Sequence, residues 1–164
     1  MPTAFIFDLD GTLIDLPINY WAMFADFKQI LGVPEVRPIS ETLTKITDLS
    51  TKKRVFDTWE RYEMAVVQKT IVHEEGYRIY KANQDKPKAL VTLQSRKVTS
   101  VIMDKFKLSF GAVFTREDSV SRSDQLKMAA QKLNLPLRDI LFVGNSDNDA
   151  QAAKQAGCQF RQVK

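Results

Sequence analysis

The chain opens on an uninterrupted apolar run, Ala4 to Phe7, with turn-forming residues behind it. Such a run suits a strand covered on both faces. From Asn19 to Leu31 the pattern changes to helical spacing. Tyr20, Trp21, Phe24, Phe27, Ile30 and Leu31 form one strongly aromatic face, and Gly32 with Pro34 supplies the stop. Pro38 and Ser40 open a segment in which Leu43, Ile46 and Leu49 keep three-residue spacing. A further helix is predicted from about Lys52 to Gln68, its wide apolar stripe made by Val55, Phe56, Trp59, Tyr62, Met64 and Val66.

Beyond about Glu74 the texture alternates. The pattern predicts helix Glu75 to Ala82, strand Lys88 to Thr92, helix Ser95 to Lys105 and strand Ala112 to Thr115, then helix Ser123 to Leu133, strand Ile140 to Val143 and helix Asp149 to Ala156. Strands separated by helices imply crossover connections and a parallel sheet with helices on both faces. The terminal "CQFRQVK" reads as one more strand. The expected fold is therefore α/β, a Rossmann-like parallel-sheet core from residues 1–15 and 75–164, interrupted after its first strand by a small all-helical cap, residues 16–74.

Composition narrows the class without naming it. At 164 residues, 44% hydrophobic and 27% charged, the chain can fill one core and a small appended subdomain. No segment reaches the ~18 consecutive apolar residues of a membrane span, and Met1-Pro2-Thr3 carries no basic leader. The lone Cys158 precludes an internal disulfide and reads as a small buried apolar residue. A cytoplasmic location is expected. The net charge of +4 suits anionic ligands, but Lys and Arg are scattered and only Lys52-Lys53-Arg54 clusters, so no nucleic-acid partner is expected. That cluster reads as a solvated helix face, and the single histidine, His73, as a hinge or solvated residue near the return to the core.

Chemistry is concentrated at three predicted strand ends. These carry Asp8-Leu9-Asp10-Gly11-Thr12, Thr92, and Gly144-Asn145-Ser146-Asp147-Asn148-Asp149. Ligands of open parallel sheets bind outside the carboxyl ends of the strands. Carboxylates gathered there without partners are tolerable around a divalent cation, and an all-oxygen set suits Mg²⁺. In extended chain, residues two apart share a side, so Asp8 and Asp10 can address one substrate. One can attack phosphorus while the other protonates the leaving oxygen and later activates water. Gly11 permits a sharp turn beside them. Plainer readings exist. Asp-Gly between apolar runs is also a hairpin signal, and Asp147 or Asp149 could simply cap a helix. An EF-hand fails, because neither acidic stretch places Gly sixth and Glu twelfth.

"DLDGT" after an apolar strand, Thr92 after the next, and "VGNSDNDAQAAKQAG" together resemble the haloacid dehalogenase superfamily in its phosphatase branch, phosphoglycolate-phosphatase-like. The resemblance implies Asp8 as nucleophile, Asp10 as general acid and base, and Thr92 as a hydrogen-bond donor to the phosphoryl group. It implies substrate contacts from Gly11, Thr12 and Leu93, and Mg²⁺ held by Asp8, Asp10, Asn145 and Asp149. A basic residue expected before the third motif's helix is Arg122 or, about a turn later, Lys127; Arg122 fits the interval better. Asn145 stands where an Asp is usual, which removes a charge and predicts weaker metal binding. Proton donation by Asp10 argues against dehalogenation, since a halide leaves without a proton. The resulting expectation is a Mg²⁺-dependent phosphatase acting on a small organic phosphate ester. A phosphomutase or a binding module with a weakened metal site are the alternatives.

Overall fold

A computed structural model describes residues 1–164. In chain order its elements are β1 (Ala4–Phe7), β2 (Ile14–Asp15), α1 (Tyr20–Leu31), α2 (Ile39–Thr44), α3 (Leu49–Val66), β3 (Ile71–Val72), α4 (Glu74–Ala82), β4 (Lys88–Val91), α5 (Arg96–Phe106), β5 (Ala112–Phe114), α6 (Arg122–Leu133), β6 (Ile140–Gly144), α7 (Asp147–Ala156) and β7 (Gln159–Gln162). Five strands form one parallel sheet in the order β5-β4-β1-β6-β7. The fold is the expected α/β, Rossmann-like architecture.

Burial explains the unbroken apolar strands. Phe5, Phe7, Leu90 and Val143 point into a core cluster of 23 residues on one face of the sheet. Ala4, Ile6, Ala89, Val91 and Phe142 point into a second cluster of 12 on the other, packed under α6 and α7 through Leu126, Ala129, Ala152 and Ala153. Alternate residues serve opposite faces, so a strand with both faces covered needs apolar residues throughout. The larger cluster runs on without a break into the helical insert through Met23, Phe27, Leu43, Val55 and Trp59.

The sheet order sets the site. From β1 the chain moves to β4 and β5 on one side, then crosses to β6 and β7 on the other. Crevices at such a reversal open at the carboxyl ends of the central strands. Here those ends deliver Asp8, Thr92 and Asn145. Serine caps fix the helices leaving the same edge. Ser95, Ser121 and Ser146 accept the N–H groups of Val98, Asp124 and Asp149 and so define where α5, α6 and α7 begin.

Two short strands were not legible from pattern. β2 and β3 pair antiparallel, Ile14 with Val72 and Asp15 with Ile71, so that Asp-Gly does not turn into a local hairpin. Instead Gly11 sits at φ +77 and donates to Ile14 O at 2.7 Å, and the strand it feeds finds its partner beyond the insert. The helix predicted from Lys52 begins earlier, at Leu49, because Asp48 accepts Thr51 N–H. His73 lies between β3 and α4, its N–H donating to Leu13 O at 2.9 Å. Lys53 pairs with exposed Asp57 on the solvent side of α3, and Cys158 is half-buried against the smaller core cluster.

α4 packs on the loop after β1 so closely that a Cβ at Gly76 would lie 1.6 Å from Thr12 O. Gly76→Ala must therefore displace backbone next to Asp8. It is expected to cost about 1–3 kcal/mol, as overpacking does. Thermal unfolding would register this as a fall of several degrees, and loss of activity should exceed what the unfolded fraction explains.

Candidate active site

Asp8 follows β1 directly and is buried. Three contacts define its carboxylate. Arg122 Nη2 donates to Oδ1 at 3.0 Å, the Thr12 hydroxyl donates to Oδ2 at 3.3 Å, and Leu9 N–H lies beside it. Burial pushes the Asp8 carboxyl up to about 7; the Arg122 guanidinium opposes that rise, and the neighbouring Asp149 charge adds to it.

Arg122 is the first residue of α6 and forks across the crevice. Its Nε donates to Asp149 Oδ1 at 3.1 Å and its Nη1 to Gln125 Oε1 at 2.8 Å. Gln125 in turn donates to the main-chain oxygens of Thr92, Thr115 and Ser119. The guanidinium is thereby locked to the ends of β4 and β5 before any ligand arrives. Lys127 is exposed on α6 and has no part in this cluster.

Asp149 lies in the first turn of α7, a position that favours a carboxylate. Its Oδ2 accepts Asn145 N–H at 3.2 Å. The Asn145 side chain is exposed and lies against Gly11, where a Cβ would approach its Nδ2 to 2.2 Å. Thus the two acidic loops interlock at Gly11, and a side chain there would be strained by conformation as well as by space.

Thr92 is buried at the end of β4, its Oγ1 accepting Gln94 N–H at 3.0 Å. That leaves the hydroxyl proton available to donate. The Leu93 and Asp10 main-chain N–H groups make no hydrogen bond within the chain, so both are free donors. Thr12 is buried beside Asp8, and its hydroxyl supports the Asp8 carboxylate.

Asp10 lies apart from the Arg122 cluster. Leu16 N–H donates to its Oδ1 at 2.9 Å and the Tyr20 hydroxyl to its Oδ2 at 2.7 Å. Burial raises its pKa, against the lowering effect of these two donors. Two carboxyls two residues apart are therefore in different settings, one beside a guanidinium and one beside neutral donors.

The oxygen atoms near Asp8 fit a hard cation in kind: the carboxylates of Asp8 and Asp149, the Asp10 carbonyl and the Asn145 amide. Two buried carboxylates share one guanidinium, leaving a net negative charge that accounts for part of the rise at Asp8. No group of three acidic, histidine or cysteine residues forms a cage. A set this small suits Mg²⁺, which keeps several waters.

Sequence reasoning missed four residues of this region. Gln125 carries no signal in the sequence, and Tyr20 reads only as one of the aromatic residues on the face of α1. Glu63 of α3 and Arg116 after β5 form a fully buried pair beside Leu93. Only Glu63 had a signal: it falls four residues after Trp59 on the buried stripe of α3, an unusual place for a charge.

Comparison with known proteins agrees with this fold. The model of the haloacid dehalogenase-like hydrolase family matches residues 5–163. A phosphoglycolate phosphatase of Shigella dysenteriae is 26% identical over an alignment covering 93% of this chain and 77% of that protein. A homologue of that name from Escherichia coli O157:H7 gives the same figures. Among solved structures, a haloacid dehalogenase-like hydrolase from Bacteroides fragilis superposes with TM-score 0.73 at 20% identity, covering all of this chain and 88% of the other. CbbY from Rhodobacter sphaeroides, solved in complex with phosphate, gives TM-score 0.70 at 16% identity, covering 98% and 85%. With its family motif matched nearly end to end, the chain belongs to the haloacid dehalogenase-like hydrolases, as a phosphatase-like member.

Proposed function

We propose that this hydrolase of phosphoric monoesters is a Mg²⁺-dependent phosphatase for a small organic phosphate, working through an aspartyl phosphate, with residues 16–74 as the cap over its site. The observation that carries the reading is the Arg122 fork, one guanidinium bridging the buried Asp8 and Asp149 carboxylates at 3.0 and 3.1 Å. It gives the site a fixed positive group beside a carboxylate nucleophile, where a phosphate dianion can be received.

In this mechanism a carboxylate oxygen of Asp8 attacks phosphorus. The P–O bond to the leaving alcohol breaks as Asp10 gives that oxygen its proton. The Thr92 hydroxyl, the Leu93 N–H and Arg122 hold the phosphoryl oxygens. Asp10, now ionised, takes a proton from water as that water attacks phosphorus. The bond to Asp8 then breaks, restoring the carboxylate and releasing phosphate. Asp8, Asn145, Asp149 and the Asp10 carbonyl would hold Mg²⁺, which when bound neutralises charge on the phosphoryl group.

The test is phosphate release from a panel of small phosphate esters, with Mg²⁺ or with chelator. Chelator-sensitive turnover supports the reading, and turnover indifferent to metal would end it. A separate expectation concerns binding alone. Mg²⁺ should raise the melting temperature of metal-free protein by a steady step per tenfold concentration above Kd, about 1.4 kcal/mol or roughly 3–5 °C. Asn145→Asp should begin that rise at lower Mg²⁺, because it restores a charged oxygen ligand. A flat response in both proteins would remove the metal from the proposal.

A further inference from the structure

Both oxygens of the Asp10 carboxyl are held by the entrance to the helical insert. Leu16 N–H takes Oδ1 and the Tyr20 hydroxyl takes Oδ2, at 2.9 and 2.7 Å. Apart from Glu63 of α3, every other side chain in the site described above belongs to the sheet or to the loops and helices that leave it. Tyr20 is different: it is the first residue of α1, its helix start fixed by Asn19, whose Oδ1 accepts Ala22 N–H. Its ring rests on Phe24 at 5.7 Å and is 37% exposed, so the residue is poorly explained as core packing.

From this geometry we propose that Tyr20 is a positioning residue for the proton-carrying carboxyl of Asp10, so that leaving-group protonation depends on the insert being seated on the core. The proposal rests on the phosphatase reading and extends it to the insert. The seating itself is built from buried contacts. Phe27, two turns along α1, meets Trp59 of α3 at 5.8 Å. The Arg116 guanidinium stacks on Trp59 at 4.5 Å and binds Glu63, which also accepts Ser95 N–H at 3.1 Å. On the core side, the Gln94 amide lies beside the Tyr20 hydroxyl, and its Oε1 is buried without a partner. The phenol therefore stands at the meeting of α1, the loop after β1 and the loop after β4. A carboxyl tied at both oxygens has one rotamer, and proton transfer depends steeply on such placement.

Tyr20→Phe keeps the ring and removes only the hydroxyl, so folding is preserved. The discriminating readout is the leaving group. An alkyl phosphate needs its departing oxygen protonated, whereas the phenolate of p-nitrophenyl phosphate leaves without a proton. The variant should lose roughly 10- to 100-fold in kcat/KM on an alkyl ester, the range of one hydrogen bond to a charged group, and change less than about threefold on the aryl ester. Asp10→Asn calibrates the experiment with the same split at larger amplitude. Equal losses on both esters would mean that Tyr20 only shapes the site, and no loss on either would mean that Asp10 needs no support; each result overturns the proposal alone. Wild-type protein that releases no phosphate from either ester would overturn the phosphatase reading and this proposal together.

Discussion

Asp8→Asn is expected to abolish turnover, with a fall of about 10⁴-fold or more, the scale seen when a covalent nucleophile is removed. The amide nitrogen and oxygen cannot form the acyl phosphate, yet the shape is conserved. Arg122 keeps its bonds to Asp149 and Gln125, so the crevice should survive. Stability should move the opposite way. In the folded chain the Asp8 carboxyl is raised to about 7 from 3.8, chiefly by burial. A raised carboxyl adds stability while protonated in both states, and that contribution is lost as pH climbs from about 4 through about 7. Asparagine never takes the charge. In chelator, Asp8→Asn should therefore melt above the wild type at pH 8, and the two should converge near pH 4. An inactive variant that is more stable at pH 8 would identify Asp8 as a group kept for chemistry at the expense of the fold. Retained turnover would remove Asp8 as nucleophile, and identical pH profiles would show that its burial carries no penalty.

What could be read in advance follows from how local each feature is. β1, β4 and β6 are each a short apolar run ending at a polar residue, and both the run and its end lie within a few positions. Alternation with helices then fixes their parallel sense, and crossover geometry brings Asp8, Thr92 and Asn145 to one edge. Arg122 could be preferred over Lys127 because it precedes the predicted helix by the interval that the family resemblance implies, and a guanidinium suits phosphate. In the structure Arg122, the first residue of α6, reaches Asp8 and Asp149, while Lys127 lies further along on the solvent side. Features made by distant partners were invisible. Each of β2 and β3 is two residues long, too short for any periodicity, and exists only by pairing across the insert. Tyr20 carried the same signature as its aromatic neighbours, of which Phe27 packs in the core while Trp21 is 85% exposed. Nothing in the spacing says that its hydroxyl ends on Asp10. Thr12 could be seen beside Asp8 but not which way its hydroxyl turns, which depends on the left-handed backbone at Gly11.

The largest stability effect should come from a residue with no part in the chemistry. Glu63 and Arg116 are buried almost completely and joined by two parallel bonds, Nη1 to Oε2 at 2.9 Å and Nη2 to Oε1 at 2.8 Å. The guanidinium also donates to Leu93 O and Phe56 O and lies over the Phe56 and Trp59 rings. Removing one partner leaves the other charge without water or counter-ion. Glu63→Ala is expected to cost about 3–5 kcal/mol, a fall of roughly 10 °C or more in melting temperature. The pair itself need not be worth that much, since desolvating two ions offsets most of their attraction. Replacing both, as Glu63→Leu with Arg116→Met, should therefore recover most of the loss. The double variant separates two roles of the pair. If it melts near the wild type but its phosphate release from alkyl esters stays low, the pair specifies how α3 sits against the loop after β4, where Glu63 also takes Ser95 N–H. If stability and release recover together, any well-packed contact serves. A single variant costing less than about 1 kcal/mol would mean that water reaches the pair and that the insert is not clamped there at all.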